Sequence, residues 1–450
     1  MQLILKITSI PRKKTDNFLM KRIVFILVIF LINNATFCQK LTLQDAVNIA
    51  LKKSLDLQLL KNDVKISEIN NYIGVAGGLP VVTASIADNE QSTNVNQKLN
   101  SGTIIKRNGA VGNSLTSGVS GGMLLYNGSR VFATKSRLQQ LQSQSEQYLN
   151  SEVQNVMASV MTSYYDIVRQ QAYIKTINKS IDVARKQLEV VKTQQSVGYA
   201  NNADLFQSQI TLNNFLQQKQ AQQLVIDQAK TGLLLLLNLK PDSIINIDDT
   251  ILIDKTIILG DILNNINRNS DIIAAGDQIK INQFIVKETA AQRYPSLRAS
   301  VGYNYNRSQT AAGNILLNQS IGPFVGLSLG IPIYNGSIYK RQQKVAEINV
   351  QNATLQRDIV IRNYNAQAVQ TYEAYISSIQ QLDSQKINVE LAQKLIDLAL
   401  FRFQLHAATI VELTQAQQSY QQAAYAFTNL SFAAKSSEIE LKRLINAIPF

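Results

Sequence analysis

The sequence predicts a mainly α-helical chain with a β-barrel portion: long α-helical hairpins or coiled coils joined to four membrane-length β-strands. Three observations predict it. One structural unit occurs twice. Each copy holds a very long stretch without Pro. Each copy also holds two strands that alternate between an apolar face and a small or polar face.

The duplication is anchored at "LLYNGSR" (Leu124–Arg130) and "IPIYNGSIY" (Ile331–Tyr339). Tyr-Asn-Gly-Ser recurs 208 residues on, and the offset holds without a gap through Tyr164/Tyr372, Ala184/Ala392, Asp204/Glu412 and Asn238/Asn446. Upstream the offset is 215, pairing Asp56 with Asp271 and Pro80 with Pro295. The difference of seven is a longer loop in the first copy. Self-similarity at this length reads as two halves of one protein, residues 39–245 and 246–450.

Residues 1–38 read as a signal peptide, with Met20 an alternative start. Lys21-Arg22 precede the apolar run Ile23–Ile32, and a short polar segment leads to Cys38-Gln39. The run falls short of the ~20 residues a spanning helix needs. Cleavage after Cys38 leaves a mature chain without Cys. The alternative is lipidation of Cys38, and Phe37 before it argues against that.

A helix is expected from Leu43 to about Ala76, stopped by Pro80; its second copy runs to about Arg293, stopped by Pro295. Strands follow near Val81–Glu90 and Val111–Tyr126, then near Ser296–Ser308 and Ile321–Tyr334. In the third, Leu297, Ala299, Val301, Tyr303 and Tyr305 share one face, while Arg298, Ser300, Gly302 and Asn304 share the other. An apolar face opposite a small or polar one is the pattern of a membrane barrel wall. The run lengths match the ~9–11 residues of a tilted crossing strand. Four strands cannot close, since single-chain barrels start at ~8 strands and an open edge in lipid leaves backbone groups unpaired. Several chains must pool strands: two would give eight, three twelve.

From Ser129 to Ser196 there is neither Pro nor Gly, a reach of ~100 Å as one helix. Ile174, Ile177, Ile181, Ala184, Leu188 and Val191 form a heptad seam, as do Leu382, Val389, Ala392, Ile396 and Ala399, with Gln385 its polar position. The chain turns at Ser196–Asp204 and at Phe403–Glu412, far from the strands. Tyr126, Asn127 and Gly128, with Tyr334, Asn335 and Gly336, mark the barrel–helix junction. Ser129 and Ser337 are placed to cap the helices that follow.

Composition excludes several functions. The net charge of +13 comes from Lys and Arg scattered among Gln and Asn, with no cluster interleaved with aromatics, so nucleic acid is not a partner. One His and one Cys cannot assemble a metal set, and no cofactor is expected. Asp204 and Glu412 lack any accompanying nucleophile or phosphate loop, so the chain does not read as an enzyme.

With its order of signal, helix, strand pair, long helix, turn and helix, twice over, its Tyr-Asn-Gly junctions and its "SVGYANNADLFQSQ" turn, the chain resembles the TolC-like outer-membrane efflux proteins. The resemblance covers nearly all of the mature chain. It implies a homotrimer whose twelve strands form one barrel in outer-membrane lipid, above a helical tunnel through the periplasm. It implies an exit duct for small molecules, joined through a periplasmic adaptor (membrane fusion) protein to an inner-membrane pump. The alternatives are a conduit for type I protein secretion and, from another class, an extracytoplasmic coiled-coil scaffold without a pore. By position, Gly198, Tyr199 and Ala200, and His406, Ala407 and Ala408, match the family's adaptor-docking tips, with His406 replacing the usual Gly. Asp204, Glu412 and Gln415 match the tunnel constriction, with Gln415 where family members can carry a second acid.

Overall fold

The computed structural model describes residues 40–313 and 315–449. The expected signal peptide at 1–38, the alternative of a lipidated Cys38 and the expected mature start at Gln39 lie outside the described residues.

Each half repeats one order of elements. The first has α1 (Leu43–Lys53), α2 (Leu55–Asn70), β1 (Val81–Lys98), β2 (Ile104–Asn127), α3 (Arg130–Ser196) and α4 (Asn202–Leu236). The second has α5 (Leu259–Asn265), α6 (Ser270–Ala291), β3 (Ser296–Thr310), β4 (Leu317–Gly330), α7 (Ile338–Gln404) and α8 (Ile410–Leu444). Both long helices have 67 residues and both return helices 35, and all four begin and end 208 residues apart.

Three local expectations are corrected. The first helix is two, because Ser54 leaves helical geometry and accepts a bond from the Leu57 N–H, and α2 stops at Asn70 rather than Ala76. β4 ends at Gly330, short of Tyr334: Gly330 pairs with Ser296, the first residue of β3, and Pro332 has no N–H to offer a ladder. Ser129 and Ser337 do not cap α3 and α7. Both sit in the left-handed region, at φ 66° and 63°, directly after left-handed Gly128 and Gly336. Two such residues in succession carry the chain from strand to helix and leave each Ser outside the extended conformation a capping residue needs, and neither hydroxyl makes a cap bond. In the first copy Asn127 Oδ1 accepts from the Val131 N–H at 3.4 Å instead.

The four strands form one antiparallel sheet in the order β1-β2-β3-β4, so β2 of the first half pairs with β3 of the second. At 18, 24, 15 and 14 residues the strands run beyond the expected segments at their loop ends. β1 and β4 are open edges.

The helical body is held by equivalent cores. In the first half Met157, Val160, Tyr164 and Ile167 pack with Leu233 and Leu237; in the second, Ala368 and Tyr375 pack with Ile272, Leu441 and Leu444. Burial of two phenols demands partners. Tyr164 Oη donates to the Leu41 carbonyl at 3.1 Å and lies 3.2 Å from an Asp249 oxygen, while Tyr375 Oη donates to the Asp254 carbonyl. Burial first, then nearby Asp254, pushes the Tyr375 pKa up to about 12. The seam expected in α3 is buried: Ile177, Ile181, Ala184 and Leu188 pack on Leu212 and Phe215 of α4. In α7, Ala392, Ile396 and Ala399 are buried, and Gln385 donates to the Ala423 carbonyl at 3.0 Å.

The halves differ in what they touch. Helix α6 packs against both α3 and α7. Its counterpart α2 packs against α3 but has no comparable contact with α7. A stripe of Leu55, Leu59, Ile66 and Ile69 on α2 is therefore left exposed.

Candidate functional site: the barrel wall and the helical tips

Strand register sorts the wall into two faces, because residues directly opposite in a ladder share a face. One row reads Thr83, Ser120, Gly302, Phe324 and the next polar row Ser85, Gly118, Asn304, Gly322. The rows of opposite parity read Val82, Gly121, Val301, Val325 and Ala84, Val119, Tyr303, Pro323. Over the rows from Val82 to Ile86 one face of the sheet is thus small and polar and the other mainly apolar, and beyond them the apolar face gives way to Asp88, Glu90 and Arg307. Val82 (69% exposed) and Val325 (83%) stand uncovered on the apolar face, which needs lipid to cover it. Phe324 is the aromatic side chain in the polar rows. A Cβ at Gly302 would lie 2.6 Å from its ring, so only Gly lets the ring lie flat on the wall. Among the described residues no helix is long and apolar enough to cross a membrane, which says nothing of strands.

At the junction the first Tyr-Asn-Gly motif ends β2 and leads into α3, and the second lies between β4 and α7. β2 carries a bulge between Leu124 and Tyr126, after which Tyr126 opposes Leu297 on the apolar face and Asn127 opposes Ser296 on the polar one. Tyr334 is 83% exposed.

At the tips both long helices end in the same loop. Gly198 (φ 82°) is left-handed, and the Tyr199 N–H bonds back to the Gln194 carbonyl at 2.8 Å. His406 (φ 59°) holds the same position in the second half, and the Ala407 N–H bonds to the Arg402 carbonyl at 2.8 Å. This is the Schellman ending, in which a left-handed residue lets the chain reverse and satisfy the last carbonyls. Tyr199 is 84% exposed, whereas Ala200 and Ala408 pack on the hydrophobic cluster of the tip. The loops are tied to each other by Gln194 Nε2 and His406 Nδ1 at 2.6 Å, and the long helices by Lys179 and Asp397 at 2.8 Å. Sequence reasoning missed these links, because both join the two halves at positions the repeat does not pair.

Asp204 and Glu412 each occupy the third position of a return helix. Asp204 closes a capping box with Asn201, accepting the Asn201 N–H at 3.3 Å while its own N–H bonds Asn201 Oδ1 at 2.9 Å. In the second half Thr409 Oγ1 accepts the Glu412 N–H at 3.2 Å. The Glu412 carboxylate lies 3.9 Å from the Arg402 guanidinium, and both are exposed. Gln415 is exposed one turn on. The Asp204 carboxylate therefore serves the turn itself, whereas Glu412 gives the turn its backbone N–H and turns its carboxylate to Arg402.

Comparisons with known proteins agree with this geometry. No curated protein matches the chain in sequence. Among solved structures it resembles the CmeC outer membrane channel of Campylobacter jejuni, with a TM-score of 0.75 and 16% identity over 90% of this chain and 85% of that one. It also resembles the outer membrane protein VceC of Vibrio cholerae, with a TM-score of 0.71 and 18% identity over 90% and 96%. A membrane protein from Pseudomonas aeruginosa aligns with a TM-score of 0.74 and 16% identity over 90% of each. At such identities the likeness shows the fold, that of the TolC-like channels with a helical tunnel and a β-barrel. The family model described as "Outer membrane efflux protein" matches residues 46–239 and 264–447, and the chain belongs to that family, an outer-membrane protein with its helical tunnel in the periplasm.

Proposed function

We propose that three copies of this chain form the exit duct of a tripartite efflux system, passing small molecules from an inner-membrane pump through periplasm and outer membrane. The observation that carries the assembly is the set of open surfaces left by the internal repeat. β2 pairs with β3 inside the chain, so β4 must pair with β1 of the next protomer. α6 packs on α3 inside the chain, so α2 packs on α7 of the next. Each is a head-to-tail contact that repeats until the ring closes. Three chains give twelve strands and bury every edge. The polar faces then line one continuous lumen above the helices.

The tips at Gly198, Tyr199 and Ala200, and at His406, Ala407 and Ala408, are proposed to dock a periplasmic adaptor. Asp204, Glu412 and Gln415 are proposed to line the constriction they surround. Exposed Tyr199 and the shared loop geometry support this, since six similar loops would face the periplasm in a ring.

A disulfide cross-link tests the assembly. The 2.8 Å hydrogen bond between Ser143 of α3 and Asp277 of α6 joins two short side chains, and the repeat places Gln351 (208 on) against Asn62 (215 back) of the next protomer. Asn62→Cys with Gln351→Cys should cross-link chains into closed trimers under oxidation, and each single variant should not. Cross-links within one chain only would end the ring argument. For cargo, deletion should raise accumulation of small toxic compounds. Loss of one secreted protein with unchanged accumulation would favour the secretion reading.

A further inference from the structure

We infer that the base of the barrel holds an anion-binding station, built around Arg298 and Arg130, that takes the carboxylate, phosphate or sulfate group of a soluble molecule in transit. It rests on the reading that the polar wall face lines the lumen.

The polar rows from Thr83 to Asn89, Ser114 to Leu124, Arg298 to Ser308 and Asn318 to Ser328 are small or uncharged except at one place. That place is Arg298, which opposes Leu124 on one side and Ser328 on the other. It lies at the helix-proximal end of β3. There a 520 Å³ pocket opens, lined among others by Arg298, Arg130, Asn127, Gln292, Tyr294 and Tyr339. Its strand residues are Leu124, Ser296, Arg298 and Gly330, all of polar-face parity, so it opens on that side of the sheet.

No carboxylate lines the pocket. Among the described residues neither Arg130 nor Arg298 has an ion-pair partner, a state they share with other exposed arginines, so what sets them apart is the pocket they share. Arg130 is also the first residue of α3, where a cation meets the positive end of the helix dipole. Neither α3 nor α7 has an acid in its first turn, and neither Ser129 nor Ser337 caps its helix, so the one side chain bonded to the start of α3 is the neutral Asn127. The other six α-helices described each carry an acid in the first turn, so that omission is confined to the two helices that start at the barrel. Two unpaired guanidiniums, two helix N-termini and two phenols around one pocket recognise a planar or tetrahedral anion by charge and by hydrogen bonds. Three copies around the barrel would set a positive collar above the acidic tips.

Planar-bilayer recording of the full-length protein tests this. In a potassium chloride gradient, Arg298→Gln with Arg130→Gln should lower the chloride-to-potassium permeability ratio by at least about twofold. Inorganic phosphate should reduce the wild-type conductance and not that of the double variant. Arg298→Lys should keep most of the anion preference, which separates charge from misfolding. Unchanged selectivity and an unchanged phosphate response in the double variant would overturn the inference while leaving the conduit intact. So would native mass measurement finding a phospholipid held by the wild type and lost in the variant, with selectivity unaltered. A wild-type protein that conducts no ions at all overturns the conduit reading itself.

Discussion

Replacing Leu59 and Ile66 together by Gln should dissolve the assembled ring while leaving the protomer folded. Both lie on the exposed stripe of α2, at 63% and 55% exposure, on the side away from buried Leu57. The repeat assigns their cover: Gln144 of α3 touches Ala274 of α6 through its carbonyl at 3.1 Å, and the equivalent positions are Asn352 of α7 and Leu59. Full burial of a Leu or Ile side chain is worth about 2 kcal/mol, so the remaining exposure of these two is worth about 2.5 kcal/mol per interface. Burying the two amides there raises the loss to about 3 kcal/mol or more. Three interfaces close each ring, giving about 9 kcal/mol, or some six orders of magnitude in the assembly constant. Gln keeps helix propensity near that of Leu, so far-UV circular dichroism should stay at the wild-type level. Native mass measurement over a detergent dilution series should show trimers for the wild type and single chains for the variant at equal concentration. Strand pairing contributes equally to both and cancels. Undiminished trimer at every dilution, with unchanged helix content, would refute the assignment of α2 to the next protomer.

Glycine positions make a second case. Gly128→Ala should cost about 2–3 kcal/mol, because φ is 66° and a Cβ would lie 2.8 Å from both the Ala291 carbonyl and Tyr294. Gly198→Ala, at φ 82° in open space, should cost only about 1 kcal/mol, and melting temperatures would rank them. Hydrogen bonds from Thr256, with help from Lys442, hold the Asp254 carboxyl at about 2, below its ordinary 3.8. A lowered folded value means stability that is present above about pH 4 and lost as pH falls towards 2. The carboxylate is more than a third exposed, so the amount is no more than about 1 kcal/mol, and Asp254→Asn should remove that part of the acid slope. At the tip, Glu412→Gln should lower cation preference in bilayers with trimers intact, and Gln415→Asp should raise it and increase block by multivalent cations. Unaltered reversal potentials in both would show that these side chains serve only the turn.

What the sequence determined by itself was everything carried by period and punctuation. The 208-residue offset places both ends of α3 and α7 in step, because a helix begins and stops where local residues allow it. Alternation of Leu297 to Tyr305 was enough to assign two wall faces, since strand side chains point by parity alone. Ile177, Ile181, Ala184 and Leu188 announced their burial through heptad spacing. Tertiary structure decided the rest, because it depends on which half touches which. Ser129 looked like a cap, but the left-handed pair Gly128-Ser129 takes it out of the extended conformation that capping needs. Tyr334 looked like strand until β3 proved to offer no partner beyond Ser296. Asp204 and Glu412 are equivalent in sequence, yet one closes a box with Asn201 and the other faces Arg402. Arg298 was one polar letter in an alternating strand. Only the fold brings it beside Arg130, 168 positions earlier in the chain, with no carboxylate lining their pocket. Local periodicity cannot encode such a meeting, because it is set by the packing of distant segments rather than by the backbone preference of either one.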